Sequence, residues 1–446
     1  MDWNKLHIIK DNRCCVAFYA PAMLLLPLDE NKADILLTYQ KYMVNNSSTD
    51  TINNFVKQIE SFIKAKNLST DEGIVAYNPK NITKIMLCVS NDCNLRCKYC
   101  YAAGGSYMQK RGLMTLETAK RFIEFCNNQF ESIDRIIFFG GEPFLNIDVI
   151  EYICESFDEQ NKLKPKFGAV TNGTICNERV LNVVNKYFSY LSISVDGPKN
   201  IHDINRVDIN GNGSFDRSKK FISAIRNNTK VNLACEATFT QQHIENGYTR
   251  SSIANFFSKE IGLQSSIIDD MHINKSEVLN YWKNINYENL KTEKLDNLTS
   301  DFWNLFELFI NNECNHRCRI GADILTIAHN GDIYPCHQLN GKEKCKLGNI
   351  FGDNVFNSNH YEKNFNLLMS VDKNDKCNNC WCKNLCSPCT ISRFFNEKLS
   401  VIESNPQKGY CTFIKQFIET LLPIIALLRK NTHLWNLVKN KMIAKL

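Results

Sequence analysis

The stretch Cys93-Asn-Leu-Arg-Cys97-Lys-Tyr-Cys100 places three cysteines in one short segment at C-x3-C-x2-C spacing. Three thiolates can hold three irons of a four-iron cubane and leave the fourth iron without a protein ligand. An open iron can take a small molecule through an amine and a carboxylate. A tetrahedral zinc site normally has four ligands, and this segment offers no fourth Cys or His.

Outward from this segment, strand and helix alternate. The apolar runs Ile85–Val89, Ile136–Phe139, Gly168–Thr171, Leu191–Val195, Val231–Thr240 and Ser265–Ile268 read as buried strands. Helical patterns lie between them at Thr115–Phe125, Ile147–Phe157, Glu178–Tyr187, Phe215–Ile225 and Ile253–Ile261. Six such units predict an α/β fold with a parallel sheet, open or curled into a partial barrel. Polar loops follow the strand ends: the cysteine segment, Gly140-Gly141-Glu142-Pro143, Thr171-Asn172-Gly173 and Asp196-Gly197-Pro198. Four such loops on one rim mark the functional end of a β/α sheet. Gly211-Asn-Gly213-Ser214 lacks the ending of a phosphate loop and reads as a connection with Ser214 as N-cap.

The 446 residues allow two or three domains, and 43% hydrophobic content is ample for real cores. A net charge of +6, from 53 basic and 47 acidic side chains, is far below a nucleic-acid-binding balance. The start, Met-Asp-Trp-Asn-Lys, has no basic-then-apolar secretory pattern. The 20 cysteines therefore point to metal and a reducing cytoplasm more than to disulfides. Val16–Leu28 and Phe413–Leu428 are apolar but interrupted, by Pro21 and Pro27 and by Lys415, Glu419 and Pro423, so no membrane span is expected. Residues 311–411 hold half of the chain's cysteines and little helical periodicity, so metal is expected to hold that segment together. The front reads as a hairpin, His7–Phe18 and Met23–Leu28, then helices Lys32–Val44 and Thr51–Ala65. Cys14, Cys15, Cys88, Cys126, Cys154, Cys176 and Cys235 read as small buried hydrophobes.

Together these motifs resemble the radical S-adenosylmethionine superfamily, and within it the peptide maturases that carry a SPASM iron–sulfur domain. The resemblance covers roughly residues 84 to 411. It implies a partial (β/α)6 barrel over 81–310 and a cysteine-rich SPASM domain over 311–415. A small winged-helix-like peptide-recognition domain over 1–80 and a C-terminal helix over 416–446 complete the expected plan. Cys93, Cys97 and Cys100 then hold a 4Fe–4S cluster that cleaves S-adenosylmethionine to a 5′-deoxyadenosyl radical. Tyr99 is the motif aromatic. Gly140, Gly141, Glu142 and Pro143 match the turn that holds the methionine amine. Asn172 and the segment Ser192-Ile-Ser194-Val-Asp196-Gly197-Pro198, with Arg206, complete the cofactor site, Ser194 and Arg206 toward the ribose and carboxylate.

The resemblance also implies two auxiliary 4Fe–4S clusters, three in all. Cys318, Cys336 and Cys389, with Cys314 as fourth, serve the first; Cys377, Cys380, Cys386 and Cys411 serve the second. Only Ser387-Pro388 separate the last two motif cysteines, where many members have three residues. Cys345 and Cys382 fall outside the motif and read as non-ligands. The implied reaction modifies a leader-bearing precursor peptide, with a Cys thioether or C–C crosslink expected and a flavodoxin or ferredoxin as electron donor. A formylglycine-forming sulfatase maturase is the nearest alternative. That subgroup has an Asp after the Gly-x4-Cys turn, where this chain has His337, a candidate catalytic residue. A zinc-binding interaction module is the alternative of another class.

Overall fold

In the computed structural model, the residues described are 5–43, 57, 61, 80–159, 162–263, 265–269, 275–295, 298–311, 313–315, 318–352, 356, 359–370 and 373–443. The expected helix Thr51–Ala65 lies outside the described residues but for two positions.

The front forms a three-stranded antiparallel sheet, β1 (Leu6–Ile9), β2 (Cys15–Tyr19) and β3 (Leu24–Leu28), followed by a helix at Glu30–Met43. Every residue of β2 is buried because both faces are covered. Ala17 and Cys15 face the Glu30–Met43 helix with Ala33 and Leu36. Val16 and Phe18 face the other way, into a core shared with Phe302 and Phe306 of the Ser300–Asn311 helix and Leu421, Leu422 and Ile425 of the Lys408–Lys430 helix. An unbroken apolar run is what a strand buried on two faces requires.

Six parallel strands follow in chain order: β4 (Asn81–Ser90), β5 (Ser132–Gly140), β6 (Lys166–Thr171), β7 (Phe188–Ser194), β8 (Asn232–Phe239) and β9 (Ser265–Asp269). Helices Leu116–Gln129, Ile147–Glu159, Glu178–Tyr187, Phe215–Asn228 and Arg250–Phe256 cover one face. Leu87, Phe138, Leu191, Phe122, Ile150, Val184 and Phe221, all fully buried, form the core between sheet and helices. Thr115 and Asn177 start two of these helices by accepting from Thr118 N and Val180 N. Ser214 differs from its expected role. Its hydroxyl donates to Arg206 O, and Asp203 Oδ1 takes Phe215 N instead.

The sheet continues past β4. β10 (Ile324–Ile327) pairs parallel with β4, and β11 (Asp332–Tyr334) and β12 (Gly348–Asn349) add antiparallel strands. The cysteine-rich region is thus hydrogen-bonded to the first strand of the barrel sheet, while β9 is left as the far edge. The C-terminal helix begins at Lys408, earlier than expected, so Cys411 lies in its first turn. It is long and apolar enough to cross a membrane. Ile418, Leu421, Leu422, Ile424, Ile425 and Leu428 are nonetheless buried in the core with the front sheet, as in the core helix of a folded domain.

Candidate functional site

The cysteine loop is built by its neighbours. Arg96 N and Lys98 N donate to Val207 O and Asn205 O, which ties the loop to the segment after β7. Gly141 N donates to Ser90 O and Glu142 N to Asp92 O, which ties it to the turn after β5. Glycine is required there. A Cβ on Gly140, at φ +137°, would lie 2.1 Å from Ser90 O, and one on Gly141 would lie 2.1 Å from Asp92 O.

Glu142 is fully buried. Its Oε1 accepts from Phe144 N and Thr171 Oγ1, and its Oε2 from Asn172 N at 2.8 Å. Burial raises its pKa to about 7 despite those donors. Pro143 opens the following short helical turn, where its missing N–H costs nothing. Asn172 reaches Asn94 Oδ1 and, at 3.6 Å, the sulfur of Cys93.

Asp196 is the centre of a closed polar ring. Its carboxylate accepts from Tyr99 Oη at 2.7 Å, Arg206 Nε at 2.9 Å and Thr238 N at 3.1 Å. Its N–H donates to His202 Nδ1; His202 Nε2 bonds Ser214 Oγ, and Ser214 returns to Arg206 O. His243 Nε2 donates to Asp196 O while its Nδ1 accepts from Thr240 N. Both imidazoles are thereby fixed as neutral Nε2–H tautomers. Burial lowers the pKa of His202 to about 4 and also lowers that of His243. The residue-type signals for Asp196 and Arg206 were legible in sequence; His243, 47 residues from Asp196, was not.

The auxiliary cysteines sort into groups. Cys318, Cys336 and Cys389 pack in one small core with Leu339 and Ile391. Cys318 N donates to Pro388 O, which brings the ends of the motif together. Cys377, Cys380, Cys386 and Cys411 are close enough that the first three raise the thiol pKa of the last, after burial itself. Cys314 packs on the core that Cys380 and Cys386 also touch. Cys345 joins the first group but gives its S–H to Ser400 O.

Between the cysteine loop and Cys336 lies the inner face of the sheet. His337 packs edge-on against Phe139 and Tyr101, and Tyr101 against Tyr107. Tyr107, at φ +52°, donates to Gly140 O. Tyr101 stays 48% exposed beside His337.

These residues fit iron–sulfur clusters. Leu95 N and Gly104 N point at the sulfurs of Cys93 and Cys100, at 3.4 and 3.3 Å. Arg393 Nη2 and Asn374 Nδ2 point at Cys377, and Ser392 N at Cys389, each at 3.5 Å. Donors aimed at sulfur suit cluster thiolates. Burial pushes the free Cys93 thiol up to about 12 and Cys97 to about 11, and coordination removes those protons outright. Among the described residues no three His, Cys, Asp or Glu side chains converge as one metal ion needs.

Comparisons agree with this geometry. The Radical SAM superfamily profile matches residues 87–244, and the SPASM iron-sulfur cluster-binding domain profile matches 318–381. A cysteine-type anaerobic sulfatase-maturating enzyme of Clostridium perfringens is 26% identical over 368 residues, 75% of this chain and 94% of that protein. The radical SAM cyclopropyl synthase TigE of Paramaledivibacter caminithermalis is 22% identical over 421 residues, 85% of this chain and 84% of that one. Among solved structures, native anSMEcpe with bound AdoMet and Kp18Cys peptide has a TM-score of 0.62 at 22% identity, covering 78% of this chain and 99% of that one. Streptococcus suis SuiB bound to S-adenosylmethionine has a TM-score of 0.51 at 15% identity, covering 91% and 98%. With its cysteine loop and GGEP turn at the strand ends and its auxiliary cysteines sorted into groups, the chain carries a radical SAM domain followed by a SPASM iron–sulfur cluster-binding domain.

Proposed function

We propose that the chain modifies a ribosomally made precursor peptide, joining a cysteine sulfur or another side-chain carbon to a peptide carbon. One observation carries this reading: His337, next to Cys336, packs against Tyr101, next to Cys100, so the cysteine loop and the Cys336 group meet on one face of the sheet. A substrate there sits within reach of both. The likeness to sulfatase-maturating enzymes over most of the chain, and to anSMEcpe with its bound Kp18Cys peptide, supports a peptide-sized substrate.

When bound, the Cys93–Cys97–Cys100 cluster and S-adenosylmethionine supply a carbon radical that removes hydrogen from the substrate. The chain's residues do the rest. Glu142 and the turn from Gly140 to Pro143 present acceptors for the methionine amine. Ser194 would hold the ribose end of the cofactor. Arg206, locked to Asp196 and lying over Tyr99, would hold the carboxylate end. Cys314, Cys318, Cys336 and Cys389, and Cys377, Cys380, Cys386 and Cys411, are assigned to two auxiliary clusters, giving three in all. Such clusters would supply a sink for the electron left on the substrate, and a flavodoxin or ferredoxin would be the donor. The front sheet is assigned to leader capture, in residues 1–80, with the barrel in 81–310, the SPASM domain in 311–415 and the helical end in 416–446. A cytoplasmic location fits the thiol content.

The similarity to sulfatase maturases favours a second reading, formylglycine formation. His337 stands where that subgroup has Asp, which weighs against it. The test is anaerobic reconstitution with reductant, S-adenosylmethionine and a leader-bearing, cysteine-containing peptide encoded beside the gene. A product lighter by one hydrogen molecule, with its cysteine closed to alkylation, supports a crosslink. Loss of the sulfur supports formylglycine. An unchanged peptide rejects both.

A further inference from the structure

The inner face of β8 holds a carboxylate with no assigned work. Cys235, Ala237 and Phe239 point into the helix-side core, so strand alternation turns Glu236 to the inner face. There it pairs with Ser194 of β7 on one side and Ser266 of β9 on the other. Ser194 belongs to the cofactor site, and β9 is the edge of the sheet. Thr238, next along the same face, spends its N–H on Asp196. The Glu236 side chain makes no hydrogen bond or ion pair among the described residues, although it is partly buried. The neighbouring cation, Arg206, gives its Nε to Asp196. A carboxylate drawn from water without a donor is costly. On the same face, Ile268, paired with Thr238, is 51% exposed. An unpaired carboxylate and an open apolar side chain thus share the wall between the cofactor rim and the sheet edge.

We propose that Glu236 touches the bound peptide and accepts a charge-assisted hydrogen bond from it, from a backbone N–H or an ammonium group, holding the target carbon beside the cofactor site. This rests on the peptide-modifying reading. An acceptor made for a substrate donor discriminates strongly, because either partner alone is left buried and unpaired.

The experiment uses reconstituted enzyme and the leader-bearing peptide named above. Glu236→Leu is expected to raise the peptide KM about tenfold or more. It should release more 5′-deoxyadenosine per modified peptide, since a loosely held target is missed more often. Iron content should match wild type and Tm should equal or exceed it, since Leu removes a buried carboxylate without a donor, and the S-adenosylmethionine Kd should stay within about twofold, a change too small for a lost charged hydrogen bond. Glu236→Gln separates the donors: a backbone N–H leaves KM near wild type, whereas an ammonium group makes Gln as poor as Leu. Normal KM and coupling in Glu236→Leu overturn the proposal. So does a weakened S-adenosylmethionine Kd with normal peptide KM, which makes Glu236 a cofactor ligand. If wild-type enzyme leaves the peptide unchanged, the peptide-modifying reading falls and takes this assignment with it; normal variants of an active enzyme overturn this assignment alone.

Discussion

At the residue scale, the three loop cysteines and the Asp196 ring do different jobs, and two variants tell them apart. Changing Cys93, Cys97 and Cys100 together to Ala should abolish reductive cleavage of S-adenosylmethionine and leave about eight of about twelve irons, because the auxiliary ligands are separate. Retained cleavage would sink the site. His202 gives a pH signature. Its folded pKa is about 4 against 6.5 for the free side chain, so the unfolded chain binds its proton first. Its stability contribution is complete above about pH 6.5 and declines toward pH 4, by about 2 kcal/mol at pH 5. Glu142 runs the other way: its raised pKa favours the folded state at pH below about 7. The wild-type profile alone is therefore ambiguous. The informative quantity is the difference, in cofactor-free protein, between wild type and His202→Gln, which should narrow as pH falls from 7 to 5. A constant gap would mean that His202 is not held neutral. The motif residues were legible from type and spacing. The ring was not, because hydrogen bonds between residues far apart in sequence leave no periodicity.

At the element scale, the turn after β5 and the front sheet are the sensitive parts. Gly141→Ala places a Cβ against the Asp92 carbonyl, and backbone on both sides cannot yield. It should cost about 2 kcal/mol or more and weaken S-adenosylmethionine binding, read by thermal denaturation and equilibrium titration. Wild-type stability in that variant would mean the two turns are not in contact. The front sheet reads in sequence as a separable unit, but Phe18 is fully buried beside Phe309 and Trp381. His7 of β1 stacks on Trp381 at 3.7 Å and bonds Glu419. Phe18→Ala should cost about 3 to 5 kcal/mol of stability for the body as a whole. Removal of residues 1–28 should expose the Phe302, Phe306 and Leu421 surface and show as dye binding and aggregation. A soluble, cooperatively folding deletion with normal Tm would restore the view of an independent front unit. The Leu24–Leu28 strand and the Glu30–Met43 helix followed from apolar and helical patterns, whereas the expected run His7–Phe18 divides into β1 and β2, so the front is three-stranded rather than a hairpin; that its second face belonged to the C-terminal helices did not follow, because an apolar strand face does not name its cover.

At the scale of the whole molecule, metal content decides the class: about twelve irons per chain fit three clusters, and a few zincs would return the protein to an interaction module. Cys314→Ala should leave the iron count near that figure and alter one auxiliary spectrum. Because Cys314 borders the same core as Cys380 and Cys386, the spectrum that changes identifies the cluster it serves, and a silent, fully active variant makes it a bystander. The order of strands β4 to β9, the rim position of the loops and the radical SAM and SPASM assignments were all determined by the sequence itself, because alternation of apolar runs and cysteine spacing are local properties. Only the tertiary structure decided that β10 extends the barrel sheet beside β4, that one core joins the first strands to the last helices, and that Glu236 and His337 share an inner face. Those facts depend on which surfaces meet across hundreds of residues, and burial at such contacts is set by shape and partner, which no local pattern encodes.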